Sequence, residues 1–127
     1  MRRLVIDMQS LLFSDAIVSA ISSSNFDFET YISESPYKTF DTLSSVEADI
    51  LIMEVTKYDP WNIDERMKIR KEVKKKFPKC KIVLVVDENT DKKLSDEVRQ
   101  AKKDGIIDGF IYGSVSTTYL LAVLDAL

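Results

Sequence analysis

One run of residues restricts the choice of fold more than any other: Ala48-Asp49-Ile50-Leu51-Ile52-Met53-Glu54-Val55. It is apolar almost without interruption and closes on an acid. A run this short has the length of a strand rather than a helix, and a strand without polar–apolar alternation has to be covered on both faces. That situation belongs to parallel sheets with helices above and below. In open sheets of this kind chemistry gathers just beyond the carboxyl ends of the strands. Glu54 sits at such an end and is the first candidate functional residue.

The rest of the chain supplies what such a sheet requires. Arg3-Leu4-Val5-Ile6-Asp7 reads as a first strand, again ending in an acid. Leu12, Phe13, Ala16, Ile17, Ala20 and Ile21 recur at helical spacing, with Ser10 as cap and Ser22-Ser23-Ser24-Asn25 as stop. Residues 26–31 alternate as a second, more exposed strand. Ser35-Pro36 opens a helix whose inner face is Phe40, Leu43 and Val46. After the run at 48–55 comes a loop holding Tyr58, Pro60 and the single tryptophan, Trp61. A third helix is expected over 64–77, with Ile69, Val73 and Phe77 in register and Pro78 ending it. Residues 81–86 form a fourth buried strand. A fourth helix follows over 91–104, with Leu94, Val98 and Ala101 inward and Gly105 as its stop. A short fifth strand covers 108–112 and a last helix 116–127. Strict alternation of strand and helix predicts one α/β domain over 1–127 built on a doubly wound parallel sheet.

Composition narrows the function. The net charge of -3 gives no global basic field, so no nucleic-acid contact is expected of this domain. The basic stretch containing Arg66, Lys68, Arg70, Lys71, Lys74, Lys75, Lys76 and Lys79 is broken by Glu65 and Glu72 and reads as a solvated helix face. One cysteine, Cys80, excludes an internal disulfide and fits a reducing compartment. With no membrane span or signal-peptide pattern either, the expected location is cytoplasmic. There is no histidine, which removes the commonest general base and zinc ligand. Met8-Gln9-Ser10-Leu11 after the first strand has no glycine, so neither a dinucleotide fingerprint nor a phosphate loop is present. No nucleophile elbow and no Cys/His pair occur. The chain is expected to be no enzyme and to carry no cofactor.

The chain resembles the receiver domains of two-component response regulators, the chemotaxis-regulator-like phosphoacceptor modules. The resemblance rests on Leu4-Val5-Ile6-Asp7, the run at 48–55, Phe77-Pro78-Lys79-Cys80-Lys81-Ile82-Val83-Leu84-Val85 and Asp108-Gly109-Phe110-Ile111, in that order and spacing. It covers essentially the whole chain and implies a flavodoxin-like, five-stranded parallel sheet in the order 2-1-3-4-5. It also implies a set of functional positions, from most of which this sequence departs. The acidic pair after the first strand is Asp7-Met8 here. The phosphoacceptor aspartate becomes Glu54. The switch threonine or serine falls on Val86 or Asp87, and the invariant lysine on Gly113. The aromatic switch position is kept as Phe110.

These departures have physical consequences. Glutamate displaces its carboxylate by about 1.5 Å relative to aspartate, and an error near 1 Å costs on the order of a hundredfold in rate. Phosphoryl transfer depends on alignment and charge neutralisation, and the lysine is missing. The resemblance therefore implies a pseudo-receiver, independent of phosphorylation, that acts by protein contact. The alternative is a receiver still phosphorylated at an acid and regulating an output domain, such as a DNA-binding one, beyond this chain. Asp7, Glu54 and Asp87 end neighbouring strands and are expected to meet, either as weak candidates for a divalent cation or as a hydrated acidic pocket. Tyr58, Pro60 and Trp61 either cover that pocket, anchor a partner or simply pack. Receivers communicate through the face of the fourth helix, fifth strand and fifth helix. Here that face would present Tyr112, Val115 and Tyr119 to a protein partner or in a homodimer.

Overall fold

A computed structural model describes residues 1–87, 89 and 92–127. The strands are β1 (Arg2–Asp7), β2 (Phe28–Ile32), β3 (Ile50–Val55), β4 (Lys81–Val86) and β5 (Gly109–Tyr112). The helices are α1 (Leu11–Ser22), α2 (Thr39–Val46), α3 (Ile63–Lys76), α4 (Lys92–Lys103) and α5 (Thr117–Asp125). All strand pairs are parallel and the sheet order is β2-β1-β3-β4-β5, as expected.

The pleat of the sheet divides the core in two. Val5, Leu51, Met53, Val55, Ile82, Leu84 and Val86 face one layer, where they meet Leu43 of α2, Val73 of α3 and Leu94, Val98 and Ala101 of α4. Leu4, Ile6, Ile50, Ile52, Val83 and Val85 face the other, against Ile17 and Ile21 of α1 and Leu120, Leu121 and Leu124 of α5. β3 is apolar at nearly every position because consecutive side chains enter different cores.

Local chemistry sets the helix ends. Ser10 Oγ accepts from the Phe13 N–H, Asn62 Oδ1 from Glu65 and Ser116 Oγ from Tyr119, so α1, α3 and α5 each start on a side-chain cap. Gly105, at φ 75°, turns the chain out of α4 as expected of a glycine there. α2 ends on Glu47, at φ 50°, a left-handed position more often held by glycine.

Several boundaries move. β2 begins at Phe28 rather than at residue 26: its pairing with β1 starts at Arg2 opposite Phe28, with the Arg2 N–H donating to the Asp27 carbonyl just before it. Pro36 opens a 3-10 turn, Pro36–Lys38, before α2 proper. The expected start of the fourth helix at Asp91 lies outside the described residues. The inner stripe of α1 is also rotated: Ser14, Ile17 and Ile21 are buried, whereas Leu12 and Ala16, expected inward, are exposed.

Candidate functional site at the carboxyl edge of the sheet

Asp7, Glu54, Val86 and Gly113 all lie at the carboxyl edge of the sheet, but they are not presented alike. Asp7 pairs in register with Met53, and Glu54 pairs with Val85. Asp7 therefore continues the Val5 side of the pleat, toward α2 and α3. Glu54 continues the Ile52 side, toward α1 and α5. Asp87 follows Val85 at the same two-residue step and shares the side of Glu54.

The side of Glu54 is open. Its Oε1 accepts the Ser10 N–H at 3.0 Å, at the mouth of α1. Glu54 and Asp87 both line a cavity of about 280 Å³ with Ser10, Phe13, Asn89 and Gly113. Both also line an adjoining one of about 250 Å³ with Gln9, Thr56, Lys57 and Tyr58. Asp87 Oδ1 accepts from the Asn89 N–H at 2.9 Å.

The side of Asp7 is closed, by a residue that sequence reasoning placed on a solvated face. Arg66 is 0% exposed and Asp7 1%. Arg66 Nη1 donates to Asp7 Oδ2 at 2.5 Å, and Nη2 reaches both Oδ1 at 3.3 Å and the Asp7 carbonyl at 3.2 Å. Nε donates to the Glu54 carbonyl at 2.8 Å. Thr39 Oγ1 gives Asp7 Oδ2 a further bond at 2.5 Å and is itself 2.8 Å from Ser33 Oγ. One guanidinium thus ties the ends of β1 and β3 to α3, while Thr39 brings in the start of α2. A charge pair this deep survives only because its remaining acceptors and donors are also bonded.

This corrects the expectation that Asp7 meets Glu54 and Asp87, whether as a hydrated acidic pocket or as weak candidates for a cation: Asp7 lies on the other side of the pleat, against Arg66. Among the described residues no group of three or more His, Cys, Asp or Glu side chains is placed to hold a metal. A divalent ion at Asp7 would have to displace a guanidinium already seated there, so the residues present do not fit one. The signal for Arg66 was available: it lies seven residues before Val73 and three before Ile69, on the inner stripe of its helix. A cation on that stripe needs a buried acid, and Asp7 is one. Ser33 and Thr39 gave no comparable signal. The other residues of the basic stretch are exposed or half-buried, as expected.

The remaining candidates are as follows. Val86 is buried and apolar, and Gly113 N–H donates to its carbonyl at 2.9 Å. Phe110 is half-buried, edge-on to Tyr112 with ring centres 5.6 Å apart. Tyr112 is half-buried, with its hydroxyl accepting from Arg99 Nη1 at 2.9 Å. Val115 packs back on the core beside α1 and α5. Of the three expected interface residues only Tyr119 stands clear of the domain, so Tyr112 and Val115 do not form the projecting face expected of them. In the loop after β3, Thr56 N–H bonds the Trp61 carbonyl and Trp61 N–H that of Tyr58. The loop closes on itself, Trp61 is half-buried and Tyr58 flanks the cavity, while Pro60 lines a separate hollow between α2 and α3.

Solved structures share this architecture. A CheY-like response regulator receiver domain protein from Methanospirillum hungatei JF-1 superposes at a TM-score of 0.78, with 13% identity over 99% of this chain and 92% of that one. The fold is that of a response-regulator receiver domain. A response regulator from Thermotoga maritima gives 0.76 at 16% identity, covering 99% and 96% of the two chains. A LuxR-family DNA-binding response regulator from Staphylococcus aureus gives 0.76 at 13% identity, over 99% and 98%. No family model and no curated protein matches the chain. This fold carries an internal ion pair at the carboxyl edge of its sheet.

Proposed function

We propose that this receiver-fold chain is a non-catalytic signalling module that works by protein contact and does not depend on phosphorylation. The Asp7–Arg66 pair is the observation that carries the reading. The acid that ends β1 is neutralised from within, by a cation that also holds the main chain of Glu54. Neither half of the pair is left to serve an incoming phosphoryl group. At the acceptor position, Glu54 faces the other side of the pleat from Asp7. Its carboxylate is engaged by Ser10, Val86 offers no hydroxyl and Gly113 no cation. Glu54 carries one negative charge where a phosphoaspartate would carry about -1.5 to -2, so it imitates an activated site only in part.

The partner is a protein surface: a second copy, or an output domain joined to this one. Incubation with acetyl phosphate followed by intact-mass measurement tests the reading. The expected result is an unchanged mass. A gain of one phosphoryl group, abolished by Glu54→Ala or Asp87→Ala, would instead establish a receiver phosphorylated at an acid.

A further inference from the structure

A further hollow opens at the opposite, amino edge of the sheet. It measures about 390 Å³, more than either cavity beside Glu54. Two connectors form its walls: the turn from α2 into β3, with Glu47 and Asp49, and the turn from α3 into β4, with Phe77, Pro78 and Lys79. Lys76, the last residue of α3, also lines it. A hollow of this size falls within the ~300–1,000 Å³ of small-molecule sites.

The sheet holds these walls in place. Asp49 N–H donates to the Arg3 carbonyl at 2.9 Å, and Asp49 Oδ2 accepts the Arg3 N–H at 2.8 Å. Lys81 N–H donates to the Asp49 carbonyl at 2.9 Å, which ties one connector to the other. Cys80 N–H closes the second turn on the Phe77 carbonyl at 3.0 Å. Lys76 is steadied too: its Nζ donates to Ser44 Oγ at 2.9 Å and lies 5.4 Å from the Phe77 ring centre.

Two features point to a ligand. The lining sets two carboxylates, Glu47 and Asp49, beside two ammonium groups, Lys76 and Lys79. Among the described residues none of the four makes an ion pair. Opposite charges that line one cavity without meeting leave room for a molecule that meets both. The second feature is Glu47 itself. At φ 50° it holds the left-handed conformation, which strains a residue with a side chain and leaves glycine unstrained. Glycine would end α2 at least as well, yet the chain places a carboxylate there, on the wall of the cavity.

The charges select the class of ligand. A phosphate would meet the lysines but be repelled by both carboxylates, and a simple amine would be repelled by the lysines. A zwitterion answers both sets at once. We propose that this cavity binds a free amino acid with an apolar side chain. Its carboxylate meets Lys76 and Lys79, its ammonium group meets Glu47 and Asp49, and its side chain lies against Phe77 and Pro78. The site goes beyond the protein-contact reading and does not rest on it. All four charged residues are exposed, so each contact is weak and the dissociation constant falls in the millimolar range.

Titration of the isotope-labelled full chain with L-phenylalanine, followed through its amide NMR signals, tests the proposal. The expected result is a saturable shift centred on residues 47–49 and 76–80. N-acetyl-L-phenylalanine lacks the ammonium group and L-phenylalaninamide the carboxylate. Each should bind at least about fivefold more weakly. Glu47→Gly should weaken L-phenylalanine by a similar factor without lowering the thermal midpoint, because glycine relieves the left-handed backbone. Lys79→Ala should weaken it likewise. The absence of a saturable shift overturns the proposal, as do shifts centred on Glu54 and Asp87. Equal binding of the three compounds also overturns it, since that outcome marks an apolar dent without charge recognition. So does a Glu47→Gly chain that binds as tightly as the original. Phosphorylation by acetyl phosphate would overturn the functional reading above without touching this result, so the two failures are distinguishable.

Discussion

Replacing Arg66 by methionine keeps most of the side-chain volume and removes the charge. Four bonds go with the guanidinium: two to the carboxylate of Asp7, one to its carbonyl and one to the carbonyl of Glu54. Asp7 retains Thr39 but is left as a buried charge without a counter-ion. Breaking a buried pair from one side costs about 3–5 kcal/mol, a large part of the 5–15 kcal/mol that holds a domain of this size together. The midpoint of thermal unfolding should fall by roughly 10–15 °C. Asp7→Leu alone should cost a similar amount, because it strands the arginine. The double variant Asp7→Leu/Arg66→Met leaves no charge behind and should be far less destabilised than the sum, with a coupling energy of about 2 kcal/mol or more. Urea unfolding of the four chains measures this, provided the denaturant slopes agree. Additive single effects, or a cost below about 1 kcal/mol for Arg66→Met, would refute the claim that this pair organises the edge of the sheet.

Two further expectations follow from groups at the opposite edge. Burial raises the thiol of Cys80 from 9.0 to about 11, against the pull of Lys74. Disulfide exchange with a small aromatic disulfide at pH 8 should therefore run about a hundredfold slower in the folded chain than in urea, and equal rates would show the thiol to be accessible. Burial alone would raise the carboxyl of Asp108, but the Ile82 N–H at 2.8 Å and Lys74 Nζ at 3.0 Å bind the ionised form and hold it below its ordinary value of 3.8. Its contribution is thus complete above its unfolded pKa and is lost as the pH falls through the lower folded one. Asp108→Asn should cost on the order of 1 kcal/mol at pH 7, and the difference should shrink below pH ~4; a difference that persisted into acid would point to packing instead.

The fold was legible because its signals are redundant. β1, β3 and β4 announce themselves as short apolar runs, each helix carries its own stripe, and strict alternation leaves one class of sheet. What moved were the ends, where single groups decide. β2 starts only where β1 offers it a partner, at Arg2 opposite Phe28, and Pro36 opens a tighter turn before α2. α1 misled because Leu12 and Ala16 fit a helical period as well as Ile17 and Ile21 do. Only packing selects between two stripes that close in angle, and it selects the one carrying Ser14.

The candidate site was legible only in part, for a different reason. Asp7 and Glu54 are both acids at strand ends, and the sequence places them at the same edge. Whether they meet depends on the parity of each along its strand and on the register between strands. A shift of one residue exchanges the faces. The register Asp7 to Met53 puts the two acids on opposite sides of the pleat. Once that is fixed, the rest is forced. Asp7 enters the layer of α2 and α3, away from water, and a carboxylate there requires a cation. Arg66 on the inner stripe of α3 supplies it. Because the same guanidinium bonds the Glu54 carbonyl, the end of β3 is held to β1 and α3 together, at the point where a receiver would have to respond to a phosphoryl group. A ligand shifts an equilibrium only as far as it distinguishes two states, and the proposed independence from phosphorylation supposes that this corner keeps the one arrangement its bonds hold. On the proposal that the chain works without phosphorylation, its signal comes from a surface that is always formed.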